Sequence, residues 1–282
     1  MKNPFSHHQA AWPYPTLFAH RGGGLHAPEN TLGAVKAGHA RNYIAFEFDV
    51  KLSGDGIAML MHDSTLERTT NGYGAVAEKT MAALEKLDAG AWHSDAFRGE
   101  PVPRFSAVAA FLHAHGLMAN VEIKPCQHRE AETGKLVGEM CAEIWRDRLV
   151  KPLISSFSVE ALRAARAAAP DLPIGLLVET PLESHLALLR SLACVSIHCH
   201  HARIDAALVR FFHGHGYRVL TYTVNDGSRL DALLAMGIDG VFTDALESMA
   251  LHNDALVADT GRPMRDTLDA DDEWRAAEPP MP

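Results

Sequence analysis

LISSFSVEALRAARAAAPDLPIGLLV, residues 153–178, contains the pattern that decides the fold of this chain. Its two apolar runs, Leu153–Ser156 and Ile174–Val178, have the length and composition of buried strands. The stretch between them has helical spacing, and Ser158 can cap its start while Pro170 closes its end. A strand, a helix and a second strand in this order predict a parallel βαβ unit.

The same alternation of strands and helices continues on both sides of this unit. Further strands are predicted at 17–20, 45–50, 58–62, 119–123, 195–198, 218–222 and 240–242, and further helices at about 31–40, 182–192 and 228–236. About eight such repeats within roughly 230 residues favour an α/β fold of the TIM (β/α)8 barrel type. A doubly wound open sheet is the competing architecture.

The chain divides into a barrel domain and a polar tail. We expect the domain to span about 16–250, with a small insertion after the second strand at about 63–104, where Gly and Thr interrupt the alternation. A short helix is expected at 80–86 within this insertion. Residues 254–282 form a predicted acidic tail, because eight acidic and three basic residues give it −5 of the net charge of −9.

Composition excludes several classes of protein. The 282 residues are 47% hydrophobic and 22% charged, which argues against a disordered or fibrous chain. We expect no secretory signal, because no apolar segment follows the first 15 residues, and no run of about 18 apolar residues that could span a membrane is present. The net negative charge argues against nucleic acid as a partner. We therefore expect a cytoplasmic protein with free cysteines and without stable membrane association, whose oligomeric state stays open.

Polar side chains gather where the predicted strands end. Glu47 and Asp49 lie two residues apart on one strand, so their side chains point to the same face. In a (β/α)8 barrel the carboxyl ends of the strands meet at one mouth, where we expect all of these groups. The residues concerned are His20, Arg21, Glu47, Asp49, His62, Asp63, Glu122 and Lys124.

This set of side chains suits metal-assisted chemistry on an anion. The carboxylates of Glu47, Asp49 and Glu122 form an oxygen site that suits Mg²⁺ or Ca²⁺ rather than Zn²⁺. Two histidines add a general acid and a general base near neutral pH. Arg21 and Lys124 add fixed positive charge. Together these groups fit the cleavage of a phosphate ester.

Longer motifs connect these strand ends. They are His20-Arg21-Gly22 followed after five residues by Pro28-Glu29-Asn30-Thr31, Glu47-Phe48-Asp49, Asp55-Gly56, His62-Asp63, the run from Leu66 through Arg68 to Gly72, Glu122-Ile123-Lys124, Ser155-Ser156-Phe157, Thr223-Val224-Asn225, and the run from Gly240 to Asp244. Over about residues 16–250 this pattern resembles the glycerophosphodiester phosphodiesterase family.

The resemblance implies a TIM barrel that hydrolyses small-molecule glycerophosphodiesters to glycerol 3-phosphate and an alcohol, with a divalent metal cation as cofactor. By role, the implied residues are His20 and His62 for acid–base catalysis, Arg21 and Lys124 for the phosphate, and Glu47, Asp49 and Glu122 for Mg²⁺ or Ca²⁺. It leaves open which histidine is the acid. It also leaves open whether water attacks directly or a cyclic phosphate forms first.

One departure from the family concerns the substrate pocket. Tyr222 stands where the family usually has Trp, which keeps an aromatic ring but leaves the preferred headgroup open. Tyr222 and Phe157 are therefore candidate pocket residues, although an ordinary core position suits Tyr222 equally well. A second departure, Ala245 where the family often has Pro, concerns the last loop.

Two other functions are compatible with the fold. A related two-histidine barrel phosphodiesterase that acts on lysophospholipids would need a secretion signal or an exposed apolar lip. A catalytically inactive binding protein would have lost a histidine or a carboxylate, and this chain retains all five. We therefore predict an active phosphoric diester hydrolase.

Overall fold

A computed structural model describes residues 12–249 of the chain. Within this range lie nine strands and eight α-helices. The strands are β1 (Leu17–Ala19), β2 (Ala45–Leu52), β3 (Ala58–Leu60), β4 (Met118–Ile123), β5 (Leu153–Ser156), β6 (Ile174–Val178), β7 (Ser196–His200), β8 (Arg218–Tyr222) and β9 (Gly240–Thr243). The helices are α1 (Leu32–His39), α2 (Met81–Leu84), α3 (Phe105–Ala114), α4 (Glu130–Ile144), α5 (Val159–Ala168), α6 (His185–Ser191), α7 (Ala206–Gly214) and α8 (Gly227–Met236).

Eight of the strands are parallel neighbours and close into a barrel. The sheet runs from β1 through β9, β8, β7, β6, β5 and β4 to β2, and β2 pairs again with β1. The closing pair places Ala19 opposite Phe46. Because an open sheet would end in two unpaired edges, this closure confirms the TIM barrel and rejects the doubly wound alternative.

β3 is not a barrel strand, and the prediction of a parallel strand at 58–62 was wrong in this respect. It pairs antiparallel with the end of β2, where Val50 lies opposite Leu60. β2 pairs with β4 only as far as Val50, so its last residues continue past β4 into a hairpin. Gly56, with a φ of +80°, lies in the turn that returns the chain. The hairpin, rather than a barrel strand end, therefore carries His62 back to the mouth.

The helix starts follow the capping pattern in the sequence. The Ser158 side chain accepts a hydrogen bond from the Ala161 amide at 3.1 Å, and Thr31 does the same for the Ala34 amide at 3.0 Å. Caps of this kind stabilise a helix by about 1 kcal/mol each. They fix where α5 and α1 begin, directly after the loops that leave β5 and β1 at the mouth.

The region predicted as an insertion has its own apolar core. Its buried residues pack against the β2–β3 hairpin and include Leu66, Val76, Met81, Leu84 and Val102. The helix expected at 80–86 is present as α2. The predicted tail at 254–282 lies outside the described residues. Across 12–249, every helix is too short or too polar to cross a membrane.

Candidate active site

The carboxyl ends of the barrel strands surround a cavity of about 220 Å³. All nine residues to which a role was assigned from the sequence line it: His20, Arg21, Glu47, Asp49, His62, Glu122, Lys124, Phe157 and Tyr222. Asp63, which was also expected at the mouth, is not a lining residue but contacts His62. The charged residues lie on β2 and β4 or in the segments that follow β1, β4 and the hairpin, while Phe157 follows β5 and Tyr222 ends β8. The barrel closure brings these distant segments together.

Three buried carboxylates form one cluster in this cavity. Oxygen atoms of Glu47, Asp49 and Glu122 all lie within 4.8 Å of one another. Asp49 on β2 lies opposite Glu122 in the register of β2 with β4. The buried Oε1 of Glu47 has no hydrogen-bond partner among residues 12–249. An oxygen-only donor set with one oxygen unsatisfied fits a hard divalent cation, so these residues could hold a metal ion.

The pKa values of the three carboxyl groups reflect this crowding. Burial raises the pKa of Glu47 to about 7 and that of Glu122 to about 8, and in both cases the charge of Asp49 adds to the effect. Burial also opposes ionisation of Asp49, but Lys124 and the other neighbouring cations hold its pKa below the ordinary value. Positive charge placed between the three groups would favour their ionised forms.

Arg21 and Lys124 each bring a positive charge close to Asp49 in this cluster. Lys124 Nζ donates to Glu122 Oε1 at 2.9 Å and lies 3.3 Å from Asp49 Oδ1. Arg21 Nη1 donates to Glu29 Oε1 at 2.9 Å, while its buried Nε has no hydrogen-bond partner within the described chain. Both side chains line the cavity, and each carries more N–H donors than these contacts use.

The backbone at Arg21 adopts a strained conformation that serves the cluster. Its φ is +50°, a left-handed value that L-residues rarely adopt. In this conformation the Arg21 amide donates to Glu47 Oε2 at 2.9 Å. Gly24, three residues further on, packs so closely that a Cβ there would collide with the Asp244 carbonyl. The first loop therefore holds Glu47 and approaches the last strand at the same time.

Both histidines are oriented by an aspartate. His20 Nδ1 lies 2.6 Å from Asp244 Oδ1, and His62 Nδ1 lies 2.7 Å from Asp63 Oδ1. An ionised carboxylate can only accept, so Nδ1 carries the hydrogen in each ring. Nε2 is then the atom that can accept or donate a proton in the cavity.

The two histidines differ in their electrostatic surroundings. Burial alone would lower the pKa of His20, but the hydrogen bond to Asp244 and the charge of Glu47 raise it above its ordinary value. Burial lowers the pKa of His62, and the charges of Arg21 and Lys124 act in the same direction. The site therefore contains two imidazoles whose pKa values are pushed in opposite directions.

Several residues at the site received no role from sequence reasoning. Asn30 Nδ2 donates a hydrogen bond to Asp49 Oδ2 at 2.8 Å, and Asn30 Oδ1 accepts one from the Asp49 backbone amide at 2.9 Å. Asp63 and Asp244 orient the histidines, and Glu29 holds Arg21. All four lie in motifs quoted above, and this proximity to the predicted groups was the available signal.

Tyr222 faces the cavity rather than the helix layer. Its ring packs edge-on against Phe157, with centroids 5.9 Å apart, and its hydroxyl donates to the Val178 carbonyl at 2.9 Å. Lys124 Nζ lies 5.8 Å from the centroid of the Phe157 ring. The cavity consequently has an aromatic wall opposite its charged half.

A barrel whose mouth holds two oriented histidines, a carboxylate cluster and two cations defines a TIM-barrel enzyme, and comparison with known proteins gives its class. The family model of the glycerophosphoryl diester phosphodiesterases matches residues 20–248. The chain therefore belongs to the glycerophosphodiester phosphodiesterase family, a family of hydrolases.

Individual relatives agree with this family. The chain is 32% identical over 237 residues to a glycerophosphodiester phosphodiesterase of Caldanaerobacter subterraneus, a match that covers 83% of this chain and 95% of that protein. A solved phosphodiesterase from Oleispira antarctica, in complex with the product sn-glycerol-3-phosphate, is 34% identical with a TM-score of 0.79, covering 84% and 97%. A glycerophosphodiester phosphodiesterase from Agrobacterium tumefaciens is 26% identical with a TM-score of 0.71, covering 84% and 100%.

Proposed function

We propose that this protein hydrolyses glycerophosphodiesters to sn-glycerol 3-phosphate and an alcohol, with Mg²⁺ or Ca²⁺ as cofactor. The observation that carries the proposal is the position of the two aspartate-paired histidines on one cavity with the carboxylate cluster. The product bound to the Oleispira antarctica relative supports the same substrate class. Sequence similarity supports it over most of the chain.

The charged half of the cavity binds the phosphate. Arg21 and Lys124 flank the carboxylate cluster and present N–H donors to the phosphate oxygens. Phe157 and Tyr222 form the opposite wall, which suits the less polar part of one substituent. The diester is thereby held between a cationic and an aromatic surface, with its phosphorus near both histidines.

Glu47, Asp49 and Glu122 would hold the cation, which when bound supplies positive charge beside the phosphate and promotes ionisation of the attacking hydroxyl. This chain's own residues keep the three carboxylates in place. Asn30 binds both the carboxylate and the backbone amide of Asp49, and the Arg21 amide donates a hydrogen bond to the Glu47 carboxylate.

The histidines move the protons. One Nε2 accepts the proton of the attacking oxygen as the new P–O bond forms. The other Nε2 donates its proton to the alcohol oxygen as the old P–O bond breaks. The attacking oxygen belongs either to water or to the glycerol 2-hydroxyl, which would give a cyclic phosphate that water then opens.

Release of glycerol 3-phosphate from glycerophosphocholine tests the proposal. Protein stripped with chelator should be inactive and should recover with Mg²⁺ or Ca²⁺. Full turnover after exhaustive chelation would remove the cofactor from the proposal. Turnover of lysophosphatidylcholine but not of glycerophosphocholine would favour the lysophospholipid alternative, and binding of glycerol 3-phosphate without turnover of either would indicate an inactive binding protein.

A further inference from the structure

Arg68 lies in the insertion and bonds to two carboxylates of the site at once. Its Nε donates to Asp63 Oδ2 at 2.6 Å, and Nη2 donates to Asp63 Oδ1 at 3.0 Å. Its Nη1 and Nη2 also donate to the two oxygens of Glu29, both at 2.7 Å. The guanidinium therefore forks between two acids that are 34 positions apart in the sequence.

Each of these acids holds a different group of the proposed machinery on its other side. Asp63 Oδ1 lies 2.7 Å from His62 Nδ1. Glu29 Oε1 accepts from Arg21 Nη1 at 2.9 Å. The hydrogen bonds thus run without a break from His62 through Asp63, Arg68 and Glu29 to Arg21.

We propose that Arg68 is a positioning residue that sets the orientation of His62 and Arg21 together. The inference rests on the function proposed above. A carboxylate held on one side only can rotate, and its histidine or arginine rotates with it. A fork that holds both oxygens of both acids prevents this, because a planar guanidinium matches carboxylate geometry in two bonds at once.

The insertion presents Arg68 on a fixed turn. Leu66 is 1% exposed and packs in the apolar core of the insertion. Thr70 Oγ1 donates to the Leu66 carbonyl at 2.7 Å, and the Thr69 hydroxyl donates to the Met61 sulfur. The Arg68 backbone is therefore anchored on both sides, which assigns the insertion a part in organising the site.

Loss of the guanidinium should leave the fold intact. The Arg68 side chain is 46% exposed, and in its absence the more buried Glu29 still pairs with Arg21, so the loss of stability should be small. Arg104 provides a matched control in the same insertion. It makes a two-bond ion pair with Glu85, and its side chain is 43% exposed, but neither residue lines the cavity.

The test compares Arg68→Met, Arg68→Lys and Arg104→Met with glycerophosphocholine as substrate. We expect Arg68→Met to lower kcat by about 10- to 100-fold, the scale expected when a reacting group shifts by about 1 Å, and to raise KM several-fold. Arg68→Lys should fall between it and the wild type, because it keeps the charge but loses the fork. Arg104→Met should stay within about twofold of the wild type.

Combined variants separate positioning from direct contact with substrate. Asp63→Asn should mainly lower kcat through His62, and Glu29→Gln should mainly raise KM through Arg21. Arg68→Met introduced into the double variant Asp63→Asn, Glu29→Gln should then change kcat and KM by less than about threefold each. The reason is that the effects of residues that act as one unit are not additive. Full additivity, or an Arg68→Met variant that matches Arg104→Met, would overturn the proposal.

A calorimetric titration with sn-glycerol 3-phosphate keeps this inference separate from the proposed function. Weaker binding by Arg68→Met than by Arg104→Met would support the effect on Arg21 even without turnover, and equal affinities would contradict it. An inactive wild-type protein that binds normally would count against the proposed function alone. Unchanged thermal unfolding of both variants is the control for folding.

Discussion

Asp244→Asn is the sharpest test of the proposed acid–base pair, because it replaces one carboxylate oxygen beside His20 with an amide nitrogen. In the wild type, Asp244 Oδ1 lies 2.6 Å from Nδ1, the distance of a charge-assisted hydrogen bond. The Asp244 side chain is 24% exposed, so water screens the interaction only in part. Asparagine keeps the shape of the side chain but removes the charge that favours the protonated ring and its tautomer.

The expected loss follows from the proton-transfer role proposed for His20 Nε2. With an amide at Nδ1, the imidazole can take the tautomer with its hydrogen on Nε2, and the imidazolium is less stable. We expect kcat for glycerophosphocholine to fall by about 10²- to 10³-fold, which corresponds to about 2.7 to 4.1 kcal/mol. KM should change by less than about threefold, since Asp244 is placed to act on a proton transfer and not on the phosphate.

Asp239→Asn is the matched control. Asp239 Oδ2 also lies 2.7 Å from a histidine nitrogen, Nε2 of His213, but this pair lies before the start of β9, at the end of the barrel opposite the cavity. That variant should lose stability and keep its kcat. A folded Asp244→Asn variant with a kcat within about threefold of the wild type would refute the reasoning, as would an equal loss of kcat in both variants.

Three further predictions concern other parts of the chain. His20→Ala and His62→Ala should each lower kcat by at least about 10²-fold, with thermal unfolding close to that of the wild type; an unfolded variant would indicate a structural role instead. Tyr222→Leu should change the ratio of kcat/KM for glycerophosphocholine to kcat/KM for glycerophosphoethanolamine. The reason is that an aromatic face attracts a quaternary ammonium by about 0.5 to 2 kcal/mol. Tyr222→Trp should change this ratio in the opposite direction. An unchanged ratio with lowered stability would make Tyr222 a packing residue. Deletion of 254–282 should leave kcat/KM within about threefold, and a larger loss would show that this segment contributes to the site or to folding.

The barrel could be predicted from the sequence because its signals are local. The βαβ pattern at 153–178 is repeated, and every predicted strand is present with bounds within two residues. The direction of β3 could not be predicted, because an apolar run has the same appearance in a parallel and an antiparallel pair. What reverses the chain is the turn at Gly56, together with a β2 that continues past its pairing with β4.

The candidate site was predictable only in part, for a similar reason. The i, i+2 spacing of Glu47 and Asp49 indicates a shared face without any knowledge of tertiary structure. The pairing of Asp244 with His20 joins residues 224 positions apart, which only the closed barrel brings together. The two hydrogen bonds between Asn30 and Asp49 likewise could not be predicted, because they depend on the path of the first loop in the folded barrel.

The origin of the two histidines in different structural units affects how the molecule would lose activity. His20 follows a strand of the barrel, whereas His62 follows the hairpin that packs with the apolar core of the insertion. The insertion core contains far fewer buried apolar residues than the barrel core, so we expect it to open at lower free energy. In rising denaturant, turnover should therefore disappear before the helical circular dichroism does, and hydrogen exchange should locate the first opening at the amides of 61–104.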